Sequence, residues 1–121
     1  MVTKWWLRVF GLACMTIGLA HALFGPPSII AGGPVSATID SELRFYAVLF
    51  IGFGAGLIWA AADLARRSAL VHVLSGLFLA GGVARLLAIW QTGAPNAFYL
   101  VLIVVEIAVP ALNWILLKRI R

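Results

Sequence analysis

The chain has 121 residues, of which 64% are apolar and 11% charged, with a mean hydropathy of +1.08. A soluble domain of this length could not hide so much apolar surface, so the soluble classes are excluded. The formal net charge is +5, but the basic residues sit in short clusters between apolar runs, the pattern of a membrane protein held on an anionic leaflet rather than of a nucleic-acid binder.

The first apolar run extends from about Trp5 to Phe24, enough at about 1.5 Å per residue to cross a hydrocarbon core of ~30 Å. Lys4 and Arg8, with Ala20-His21-Ala22, also have the form of a cleavable signal peptide. The run is longer than a usual signal-peptide core, so a retained transmembrane helix is expected. Residues 25–40 (GPPSIIAGGPVSATID) form the long loop, with prolines and glycines that break helix on both sides. Ile29 and Ile30 would let it lie on the membrane surface or fold over the helices.

The second helix is expected from about Ser41 to Ala62, with Asp40 as its N-cap and Glu42 in its first turn. Gly52 and Gly56 form a GxxxG pair with Gly54 between them, suited to close helix approach. Residues 63–68 (DLARRS) read as a tight polar turn. The third helix is expected from about Ser68 to Trp90, with Ser75, Gly76, Ala80, Gly81 and Gly82 as small packing residues. After the turn at 91–96, Asn96 suits an N-cap, and the fourth helix runs from about Ala97 to Leu117.

The expected fold is therefore all-α: a four-helix transmembrane bundle with both termini cytoplasmic, residues 1–121 making one integral membrane domain. The orientation follows from charge. Lys4, Arg8, Arg66, Arg67, Lys118, Arg119 and Arg121 fall on one side, while the loops 25–36 and 91–96 carry no lysine or arginine. Trp5, Trp6, Trp59 and Trp114 fit as inner interface anchors and Trp90 as an outer one. A weak internal repeat runs through the chain: Gly18-Leu19-Ala20-His21-Ala22-Leu23 is similar to Gly82-Val83-Ala84-Arg85-Leu86-Leu87, and Phe45-Tyr46-Ala47-Val48-Leu49 to Phe98-Tyr99-Leu100-Val101-Leu102. It pairs the first two helices with the last two and places His21 and Arg85 in equivalent positions.

Arg85 stands inside an apolar run, where a charge costs ~3 kcal/mol unless it finds a partner, water or the interface. By residue rise it lies roughly 7 Å below the outer end, with Arg44 and His21 each about 6 Å in. Glu106 is the deepest, about 15 Å in. A carboxylate at that depth needs a proton or a partner, and Arg85 is the expected one, with Arg44 second. Pro110 cannot donate to the carbonyl of Glu106, so the fourth helix is expected to kink there and leave an acceptor beside the carboxylate. The expected site joins Arg44, Arg85 and Glu106, surrounded by His21, Glu42, Tyr46, Gln91 and Tyr99, all in the outer half.

Other chemistry is not supported. His21 and His72 differ in depth by ~18 Å, too far to hold one haem between them. Cys14 is the only cysteine, so no disulfide within the chain, thiolate metal site or cysteine–histidine zinc site is expected. There is no phosphate loop and no nucleophile with a base in reach. No cofactor, metal or catalytic residue is assigned.

At Ser41-Glu42-Leu43-Arg44-Phe45-Tyr46-Ala47 and Gly81-Gly82-Val83-Ala84-Arg85-Leu86 the chain resembles a family of small four-helix bacterial membrane proteins, the domain of unknown function 4345. The likeness covers nearly the whole chain, including the long first loop, Gly93-Ala94-Pro95 and the glutamate of the last helix. It implies a multi-pass protein of the bacterial inner membrane and implies no activity. Oxidoreductase-associated and sterol-isomerase-like four-helix families share only the layout, which does not transfer function.

Three readings of the polar site stand side by side. It locks the helices as a structural ion pair, it binds a small anionic or lipid-like ligand or a membrane partner, or it moves protons through Glu106 in a small coupled transporter. Two arginines against one deep carboxylate leave positive charge to spare, which favours the ligand. An enzyme acting on a lipid, with Glu106 or His21 as acid–base group, is a further alternative that no sequence feature demands. The expected partners are the bilayer and a second copy or larger membrane complex.

Overall fold

The computed structural model describes residues 2–120, and among them every regular element is helical. The order is α1 (Val2–Phe24), a single 3-10 turn (Pro26–Ser28), α2 (Ala37–Ala61), α3 (Leu64–Thr92) and α4 (Ala97–Lys118). All four α-helices are long and apolar enough to cross a membrane. Their outward faces are apolar too. Leu12, Leu49, Leu77 and Val104 each stand more than half exposed, an inside-out surface that suits lipid rather than water.

Three helix starts precede expectation: α1 begins at Val2 rather than about Trp5, and α2 and α3 each begin about a turn early. α2 is capped by Ser36, whose hydroxyl accepts from the Ile39 N–H at 3.2 Å, not by Asp40. Ala37, Thr38 and Ile39 contain nothing that breaks helix, so the helix begins at the first capping residue after Pro34. Asp40 lies one turn inside. The polar turn expected at 63–68 shrinks to Ala62 and Asp63, and α3 begins at Leu64. Leu64, Ala65, Arg66 and Arg67 are strong helix formers, and their charge does not outweigh that propensity. Asn96 caps α4 by accepting from the Phe98 N–H at 2.9 Å.

α1 and α3 end by one rule. Gly25, at φ 67°, donates its N–H to the His21 carbonyl at 2.9 Å and is followed by Pro26. Gly93, at φ 98°, does the same to Ile89 at 2.9 Å, with Pro95 two residues on. A left-handed glycine closes the last turn and a proline prevents its continuation.

The chain divides into two compact units, 1–64 and 65–121. In the first, α1 and α2 pack as an antiparallel pair. A Cβ on Gly11 would lie 2.6 Å from the Gly54 carbonyl oxygen and 2.9 Å from the Ile58 side chain. One heptad along, a Cβ on Gly18 would lie 2.9 Å from the Ala47 carbonyl oxygen and 2.8 Å from the Ile51 side chain. Backbones this close need glycine, and such an approach is what drives association in lipid. The close-packing glycine of α2 is therefore Gly54. Gly52, expected to share that role with Gly56, has nothing within 4 Å of its missing Cβ. Gly52 lies on a different stripe of the helix from the seam.

In the second unit, Gly82 of α3 meets Glu106 of α4, and one heptad along Ser75 meets Asn113. The buried residues Ile103, Glu106, Val109, Asn113 and Leu117 mark the α4 side of this seam. Each unit is thus a hairpin with a seven-residue seam, and Gly18 and Gly82, matched in the internal repeat, both lie on it.

Candidate functional site

The second unit holds the most buried charge. Glu106 projects from the inner face of α4, its side chain only 9% exposed. It fits because Gly82 has no side chain: a Cβ there would stand 3.0 Å from the Cβ of Glu106. Gly81 leaves room for the carboxylate itself, with Oε2 3.6 Å from the point its Cβ would take. One turn beyond these glycines, Arg85 donates from Nε to Oε1 of Glu106 at 2.6 Å. The Arg85 side chain remains 41% exposed. Its guanidinium carbon lies 5.7 Å from the centre of the Tyr99 ring, within cation–π range.

Nη1 and Nη2 of Arg85 make no hydrogen bond among the described residues. The ion pair thus uses one edge of the guanidinium and leaves its fork open. α4 continues through Pro110, which has no N–H to give the Glu106 carbonyl. Deeper in the same hairpin, the Asn113 amide donates to the Ser75 hydroxyl at 3.0 Å, with both residues buried.

The first unit holds a different arrangement. Arg44 donates from Nε to Asp40 at 2.6 Å and from Nη1 to the carbonyls of Ala22 at 3.2 Å and Leu23 at 3.1 Å. These are orphan carbonyls at the end of α1, and a cation there also opposes the negative end of the helix dipole. The guanidinium fills the space beside Gly25 where a Cβ would point. Arg44 is thereby committed to holding α1, its loop and α2 together.

His21 Nδ1 lies 2.7 Å from the Ser28 hydroxyl, which donates its proton to the Gly25 carbonyl at 2.6 Å. A hydroxyl has one proton, so Nδ1–H donates to Ser28 and the Nε2 side of the ring is left open. Glu42 and Tyr46 interact with each other one turn apart on the exposed face of α2.

Of the eight residues expected in one site, the structure joins Arg85, Glu106 and Tyr99 in the second hairpin. Arg44, His21, Glu42 and Tyr46 belong to the first hairpin, each with local partners. Gln91 is exposed in the last turn of α3 and enters none of these contacts. Sequence reading missed three partners. Asp40 was legible as an i, i+4 partner of Arg44, and Asn113 as an amide in an apolar run. Ser28 gave no signal. Among the described residues, no three of His, Cys, Asp and Glu lie together as metal ligands would.

Residues 2–117 match the family described as "Domain of unknown function (DUF4345)". No curated protein and no solved structure matches the chain.

Proposed function

The chain belongs to this family, and from that premise we propose a multi-pass membrane protein that binds a small anionic or lipid-like ligand, or an acidic group of a membrane partner, at Arg85. Its setting is a four-helix transmembrane bundle forming one integral domain in a bacterial inner membrane, both termini cytoplasmic. The charge distribution supports that orientation. Arg8 lies 5.4 Å from the Trp5 ring and Lys118 4.8 Å from the Trp114 ring, cation–aromatic pairs suited to an inner interface.

The observation that carries the reading is the half-used guanidinium of Arg85. Nε is fixed on Glu106, yet the side chain is 41% exposed and its two terminal amino groups make no hydrogen bond among the described residues. A pair serving only to lock two helices would gain most from a bidentate fork. Arg44, whose side chain is also 41% exposed, supplies the contrast in bonding alone, with Nε engaged by Asp40 and Nη1 by two carbonyls. The transporter reading is weaker, because a proton carried by Glu106 would first have to displace the 2.6 Å bond from Arg85.

Thermal unfolding in a neutral detergent tests the reading, because a ligand that binds only the folded protein raises the midpoint. Dimethyl phosphate or phosphatidylglycerol should stabilise the wild type more than Arg85→Ala. Equal responses to both probes would overturn it.

A further inference from the structure

We propose that the group held by Arg85 is the singly charged phosphodiester of a membrane lipid, drawn from the leaflet on the Trp90 side. The proposal rests on the reading above and narrows it to one chemistry.

Depth comes first. α3 has 29 residues and is about 43 Å long, well beyond a hydrocarbon core of ~30 Å. Its ends therefore reach the headgroup layers. Arg85 lies seven residues before Thr92, roughly 10 Å from that end. Its guanidinium also contacts the ring of Tyr99, in the first turn of α4. Trp90, 82% exposed, stands where an interfacial anchor belongs. The cation is thus near the boundary between hydrocarbon and headgroups, where a lipid phosphate can meet it without leaving its layer.

Charge and shape select the phosphodiester. Glu106 offsets much of the arginine charge and repels a bound anion, so a singly charged group meets less repulsion from that carboxylate than a dianion would. The two terminal amino groups, without a hydrogen bond among the described residues, form a fork whose spacing fits two oxygens of one phosphate. The Glu106 bond and the Tyr99 ring hold that fork in place, which lowers the entropy cost of binding.

The surroundings favour a lipid over a free anion. Leu86, next to Arg85 on α3, and Phe98, next to Tyr99 on α4, are 47% and 42% exposed. Acyl chains can lie along this apolar rim, which offers a water-soluble anion nothing. A zwitterionic headgroup carries its own cation against the phosphate and gains less from Arg85.

Native mass spectrometry of the full chain released from neutral detergent tests this, using phosphatidylglycerol, phosphatidylcholine and dimethyl phosphate as probes. The wild type should retain one phosphatidylglycerol in preference to phosphatidylcholine. Arg85→Ala should weaken it roughly tenfold, the loss of one charge-assisted contact. The neutral pair Arg85→Gln/Glu106→Gln, which leaves no buried charge unpaired, should do the same and covers the case in which Arg85→Ala does not fold. Glu106→Gln should tighten binding by freeing the arginine charge. Arg66→Ala/Arg67→Ala should leave the Arg85-dependent lipid in place. Dimethyl phosphate binding through Arg85 while phosphatidylglycerol does not would overturn the lipid proposal and leave the broader reading standing. Equal retention of every probe by wild type and both Arg85 variants would overturn both.

Discussion

Gly82 and Glu106 meet on the seam of the second hairpin so closely that a Cβ on the glycine would stand 3.0 Å from the Cβ of the glutamate. The missing side chain lets a carboxylate sit between two apolar helices. From there it reaches Arg85 one turn away. Gly81 is looser, its absent Cβ 3.6 Å from Oε2 of Glu106, an ordinary contact. Gly82→Val should therefore destabilise the protein by about 1–3 kcal/mol through overpacking and weaken any Arg85-dependent binding. Gly81→Ala should be nearly silent in both. Thermal unfolding in detergent, with and without phosphatidylglycerol, separates the two variants.

Gly25 and Gly33 allow backbone strain to be told from collision. Both have positive φ, 67° and 70°. An added Cβ at Gly33 meets nothing within 4 Å, while at Gly25 it falls on the guanidinium of Arg44. Gly33→Ala should cost about 1–2 kcal/mol from backbone strain alone. Gly25→Ala should cost more, and less of the excess should remain in an Arg44→Ala background. A double-mutant cycle by thermal unfolding measures the coupling.

The bond from Asn113 to Ser75 is the inner counterpart of the Arg85–Glu106 pair. Interhelical hydrogen bonds in membranes are worth only about 0.6 kcal/mol on average, because the unfolded helices also find partners. Ser75→Ala and Asn113→Leu, measured singly and together, should give a coupling of that order without changing binding at Arg85. A coupling above about 2 kcal/mol would mean that the amide holds more than this one hydroxyl.

The proposed orientation is testable by thiol chemistry. With Cys14→Ser removing the native thiol, a cysteine at Gly33 or Gly93 should react with a membrane-impermeant maleimide added outside intact cells. A cysteine at Arg66 or Arg119 should react only after permeabilisation. The reverse pattern would invert the orientation.

The positions of the four helices were legible because apolar runs of this length cross a bilayer, while Pro26, Pro34 and Pro95 with their glycines set the breaks. The boundaries that moved did so for local reasons. Ser36 capped α2 before Asp40 was reached, and Arg66 and Arg67 joined a helix in spite of their charge. The site was legible only in part. Arg85 and Glu106 stood out because charge is rare in an apolar run, but the same rule ranked Arg44 beside them. It could not show that Arg44 would spend its donors on Asp40 and the end of α1.

Sequence by itself determined that this is a chain of four membrane-length helices, because hydrophobic length and helix-breaking residues are local properties. It also determined where the expensive charges lie along those helices. Only the tertiary structure decided which glycines make the seams and which partner each arginine takes. Both depend on the rotation of one helix against another, and composition in a uniformly apolar helix does not encode that rotation. Gly54 rather than Gly52 faces α1, and Gly82 rather than Gly76 faces Glu106, because the seven-residue seam passes through those positions. The pairing of Arg85 with Glu106 across that seam depends on the same rotation.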